Sequence, residues 1–72
     1  MAEEIGLLDV VALTDDVPER GLVRGQVGTV VEILADGVCE VEFSDDDGRA
    51  YALLSLDRRQ LMTLHYQPAH AV

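Results

Sequence analysis

Hydrophobic and polar positions along this chain change over in short steps, with the spacing of strands. Leu8 to Leu13 (Leu-Asp-Val-Val-Ala-Leu) is apolar and β-branched and stops at Thr14-Asp15-Asp16, which predicts a first strand. Asp15 to Gly21 is rich in turn formers and acids, and Pro18 lacks the amide donor a ladder needs, so this stretch reads as a long loop. Leu22 and Val23 are expected to touch down on the core. Gly25 and Gly28 bracket the entry to a second strand, Gln26 to Leu34. Uninterrupted alternation puts Val27, Thr29, Val31 and Ile33 on its inward face and leaves Glu32 on a solvated one.

Asp36-Gly37 lies between that strand and Val38–Phe43, and Asp-Gly between alternating runs is a hairpin signal because both turn residues take positive φ. In the third strand Cys39, Val41 and Phe43 point in and Glu40 and Glu42 point out. Ser44 to Gly48 is the next turn and Arg49 to Ser55 the fourth strand. Leu56 to Gln60 has the length of one helical turn of 3-10 type, Leu61 to Leu64 makes a short closing strand, and His65 to Val72 a loosely held tail. Helical periodicity is otherwise missing. The expectation is an all-β fold: one domain over residues 1–72, with its core in 7–64 and about five strands bent into a small barrel that hides its edges. An OB-type barrel is the alternative, but it usually needs more residues and a helix between strands.

Charge changes the picture of what such a barrel meets. The 72 residues hold five arginines, no lysine and 14 carboxylates, a net charge of −9, yet 49% are hydrophobic, so the chain folds in spite of its acidity. The arginines are scattered at positions 20, 24, 49, 58 and 59, with no basic stripe. Phosphate backbones and anionic membranes are repelled by such a body, so neither nucleic acid nor membrane is expected as a direct partner. A basic protein is the favoured partner. No apolar run approaches the roughly 18 residues of a membrane span, and Met1-Ala2-Glu3-Glu4 lacks a basic, apolar signal pattern, so the expected location is the cytoplasm.

Catalytic and metal chemistry find little to work with. Cys39 is the single cysteine, so no intramolecular disulfide exists, and its parity with Val41 and Phe43 makes it a small core residue rather than a nucleophile. Asp45-Asp46-Asp47-Gly48 lacks the alternating ligands and terminal glutamate of a calcium loop and reads as a solvated turn. Ser44 and Ser55 have no histidine in a triad arrangement. His65 and His70 are five apart around Pro68, not at the spacing of a helical metal pair. Gly21, Gly25 and Gly28 lack the lysine and helix of a phosphate loop. The expectation is a non-enzymatic chain with no cofactor and no metal.

Leu7 to Leu13, Gly21 to Glu32 (Gly-Leu-Val-Arg-Gly-Gln-Val-Gly-Thr-Val-Val-Glu), Val41-Glu42-Phe43, Asp47 to Leu54 and Gln60-Leu61 together resemble the bacterial family known as domain of unknown function 4926. The resemblance covers residues 7 to 64. It implies an SH3-like barrel and, because some members stand beside possible toxin genes, an antitoxin or immunity role. Arg24 to Val30 is also similar to the glycine-hinged hairpin of KOW-type and nitrile-hydratase β-like barrels, an analogy of fold rather than function. KOW domains carry basic loops for RNA, whereas here the loops hold Asp15, Asp16, Glu19, Asp45, Asp46 and Asp47.

In an SH3-like arrangement the early loop and the hairpin loops line one edge of the barrel. Asp15, Asp16 and Glu19 would then join Asp45, Asp46 and Asp47 in an acidic rim for a basic protein partner, with Tyr66 as an amphipathic contact residue and Tyr51 as half-buried filler. Val11, Val30 and Leu34 fall on the parity opposite to the inward set and form the candidate homodimer face. The readings are therefore a protein-binding module, a structural homo-oligomer or accessory subunit, and last a KOW-like RNA or ribosome contact.

Overall fold

The computed structural model describes residues 4–66 and Pro68. Five strands, β1 (Val10–Leu13), β2 (Val27–Ile33), β3 (Val38–Ser44), β4 (Ala50–Asp57) and β5 (Leu61–Thr63), form one antiparallel sheet in the order β4-β3-β2-β1-β5. Short 3-10 turns occupy Pro18–Arg20 and Arg58–Gln60, the second directly before β5, and a tight turn over Ala35–Gly37 joins β2 to β3. This is the all-β, SH3-like arrangement expected. The sheet curls until inward residues of all five strands meet in one cluster, with Val11, Val30, Val41 and Phe43 fully buried at its centre. β4 and β5 end the strand order, so the curled sheet stays open along the seam between them. No helix among the described residues is long and apolar enough to cross a membrane.

Local chemistry explains the joints. Between β2 and β3, Asp36 and Gly37 both take positive φ (61° and 77°), and the Leu34 N–H donates to the Val38 carbonyl at 2.8 Å, closing the tight hairpin that Asp-Gly announces. Before β5, the Asp57 carboxylate accepts the Arg59 N–H at 2.8 Å while the Gln60 side chain accepts the Asp57 N–H at 3.0 Å, a reciprocal cap. The same carboxylate takes the Arg59 guanidinium at 3.0 Å, and these hydrogen bonds hold Asp57 below the usual carboxylate range.

The inward face of β2 differs from simple alternation. Gly28 and Val30 point into the core, whereas Val27, Val31 and Ile33 are exposed and Thr29 is half-buried. Two features cause this. Val11 of β1 lies opposite Gly28, and Val30 opposite Val41, so the face those partners bury is the even one. Then the register shifts between Val30 and Glu32: two steps on β2 match one on β3, leaving Val31 as the extra residue of a bulge. Val11 and Val30 are therefore core residues with no exposed surface, not a homodimer face, and Leu34 is half-buried beside the hairpin. In β3 the expected parity holds, with Cys39, Val41 and Phe43 buried. Burial, and secondarily the charge of Asp57, push the Cys39 thiol above its ordinary pKa, as suits a core residue.

The long β1–β2 loop is fastened at its middle. Val17 and Leu22 form an isolated bridge, N–H to carbonyl at 2.9 and 3.1 Å, and both side chains are buried in the core cluster. Leu22 touches down as expected. Val23 does not; it is exposed, and Val17 fills that role from the other side of the bridge.

An acidic groove at the open seam

The Val17–Leu22 bridge holds the Pro18–Arg20 turn over the free edge of β4, with Pro18 opening the turn and the Gly21 N–H closing it onto the Pro18 carbonyl at 3.1 Å. Between the turn and the strand runs an open groove of about 560 Å³. Val17, Leu53, Leu54 and Leu56 supply apolar surface, and Glu19, Arg20, Glu40, Ser55 and Gln60 supply polar groups. Arg20 Nη2 reaches the Leu53 carbonyl at 3.5 Å, and Ser55 Oγ donates to the Glu40 carboxylate at 3.1 Å. Two carboxylates thus border the exposed Leu53 side chain, with one guanidinium lying against the strand edge.

The acidic loops come to one end of the sheet, because β2 begins where β3 ends: Gly28 lies opposite Phe43, and Ser44 opposite Ala50. Asp15, Asp16, Glu19, Asp45, Asp46 and Asp47 are all exposed, and of these Glu19 lines the groove beside Glu40. Two of them also shape their loops. Asp16 accepts the Arg24 N–H at 2.8 Å, and Asp45 accepts the N–H groups of Asp47 and Arg49, both at 2.9 Å. Among the described residues no group of three or more His, Cys, Asp and Glu could hold a metal ion.

Tyr66 does not join this end. It is exposed and follows β5 past the residue whose N–H bonds to Val10, at the opposite end of β1 from the acidic loops. Tyr51 is half-exposed, its ring 6.4 Å from that of Phe43 and its hydroxyl accepting from Gln26 Nε2 at 3.0 Å. His65 is exposed, and His70 with residues 67, 69, 71 and 72 lies outside the described residues.

The family model for a domain of unknown function (DUF4926) matches residues 7–63, which hold all five strands and both sides of the groove. The chain belongs to this family. Neither the comparison with curated proteins nor that with solved structures gives a match for this DUF4926 domain. Reading by parity missed Arg20, Glu40, Leu53 and Ser55 as groove residues of the DUF4926 domain. Their signal was the stretch Ala50 to Leu56, which contains no charge and no proline in a chain otherwise dense in acids.

Proposed function

We propose that this DUF4926 domain is a non-enzymatic protein-binding module that docks a basic segment of its partner in the seam between the β1–β2 loop and β4. The observation that carries the reading is the groove itself: a largely polar cleft with Glu19 and Glu40 around the exposed Leu53, on a body of net charge −9. Lysine or arginine side chains of a partner would meet those carboxylates while their apolar stems cover Leu53. The exposed acids at the end of the sheet would steer the encounter, and the groove would supply most of the affinity. An antitoxin or immunity role is one instance of this reading, since a neutralising protein of this charge would cover a basic toxin.

The experiment is a titration of the ¹⁵N-labelled domain with short lysine-rich, uncharged and glutamate-rich peptides at low and high salt. The expected result is saturable shifts at Glu19, Glu40 and Leu53 with the lysine-rich peptide alone, weakened by salt. Asp46→Asn with Asp47→Asn, which spares the turn-forming Asp45, should slow association and flatten its salt dependence. Equal shifts from all three peptides, or none from any, would sink the reading.

A further inference from the structure

Among the described residues β4 pairs only with β3, so one whole side of an eight-residue strand is left without a ladder partner. Edge strands are usually guarded by charge, proline, brevity or a covering loop, and here the Pro18–Arg20 turn stands across an open groove from the edge. This one is long, and from Ala50 to Leu56 it has neither a charged residue nor a proline. The backbone polarity of that side follows from the pairing. Val30 exchanges hydrogen bonds with Asp9 and Leu8 on its β1 side, so the Val30–Val41 pair is the open kind, and Val41 turns its polar groups toward Leu54 of β4. Alternation then turns the N–H and C=O of Leu53 and Ser55 away from β3, and the Leu53 carbonyl is indeed the one that meets Arg20. At 3.5 Å that contact is long, and it occupies a single acceptor.

We infer that the groove takes its ligand as an added β-strand: an extended basic segment pairs with Leu53 and Ser55 along the free edge of β4, its lysine or arginine side chains reaching Glu19 and Glu40. This rests on the binding reading above and specifies how the partner is held. Backbone pairing supplies register and alternate side chains supply selectivity. Charge chooses the occupant. A second copy would bring another −9 to the same edge and would present the same uncharged strand, with a single guanidinium, Arg20, beside its own Glu19 and Glu40. A basic strand meets them and spans a groove already walled by the Pro18–Arg20 turn.

The probe is a peptide about as long as β4 that alternates lysine with valine and threonine; its control keeps the lysines but carries proline at every other position. The expected result is that the first peptide slows hydrogen exchange at the Leu53 and Ser55 amides. The proline control should bind about tenfold more weakly or worse, having lost at least two edge hydrogen bonds. Arg20→Ala, which frees the Leu53 carbonyl and removes a cation from the groove, should tighten the first peptide severalfold. Salt-sensitive binding of both peptides with equal affinity and unchanged exchange at Leu53 and Ser55 would overturn strand addition while leaving the basic-partner reading in place. No binding by either peptide would overturn both. Protection of those amides that rises with protein concentration alone would make a second copy the occupant and overturn the inference.

Discussion

Gly28→Ala is the sharpest test of the packing described. A methyl group at this position would stand 2.7 Å from Val41 Cγ1, 2.9 Å from the Glu42 carbonyl oxygen and 3.0 Å from Phe43 Cδ2. None of the three can move aside cheaply: Val41 and Phe43 are fully buried, and the carbonyl belongs to the β3 backbone. Elsewhere in a strand, alanine for glycine gains about 0.5–1 kcal/mol from lower unfolded-state entropy, so the sign itself is informative. Forcing a methyl into a filled core costs about 1–3 kcal/mol. With contacts as short as 2.7 Å to a buried side chain and 2.9 Å to backbone, the cost should fall in the upper part of that range and outweigh the gain. That leaves about 1–2.5 kcal/mol of net destabilisation and a fall in Tm of about 4 to 20 °C for a domain of this size. Urea unfolding followed by circular dichroism should show a lower midpoint at unchanged m. Gly6→Ala is the control, because its methyl would meet nothing nearer than the Asp9 carboxylate at 3.6 Å, an ordinary contact. Val41→Ala made in the Gly28→Ala background should cost less than in the wild type, since one clash disappears. If Gly28→Ala proved as stable as Gly6→Ala, the close approach of β2 to β3 would be wrong.

Val30→Ala should cost about 2–3 kcal/mol, through lost burial plus the cavity left behind, with sedimentation unchanged. A variant of undiminished stability with an altered oligomeric state would return Val30 to the surface. The depressed pKa of Asp57 gives stability that is present above the usual carboxylate range and is lost as pH falls through the lowered value. Asp57→Asn should accordingly flatten the acid limb of a urea-midpoint against pH curve, by a small amount because Asp57 is near solvent; superimposable curves would contradict the cap.

Much of the fold was legible because its joints are chemical. Asp36-Gly37 fixes a hairpin by backbone sterics, Asp57 to Gln60 caps its own turn, and β3 alternates cleanly between core and carboxylates. β2 was not legible by alternation. Its inward residues include a glycine, which carries no hydrophobic signal, and from the bulge at Val31 onward none of its residues is buried. That error placed the fully buried Val30 on an imagined surface, and Val11 of β1, which lies opposite Gly28, was set on the same side. The site was hidden for another reason. Its most distinctive property, an unpaired strand edge, belongs to the order of strands rather than to any residue. Of the acids at 15, 16, 19 and 45–47 that advertised charge, Glu19 lines the groove, and the carboxylate it meets there belongs to Glu40, an acid that reads as ordinary strand exterior.

The hydrogen bond from the Leu64 N–H to the Val10 carbonyl, at 2.9 Å, sets the first residue of β1 beside the residue that follows β5. The strands of the sheet therefore begin and end at neighbouring points in space. A chain of this shape can be spliced into a surface loop of a host protein as a bead held by both ends, without prying the loop apart. The same adjacency makes circular permutation geometrically simple: a short bridge between the two ends and a cut at the exposed Asp45–Asp47 turn leave every ladder of the sheet in place.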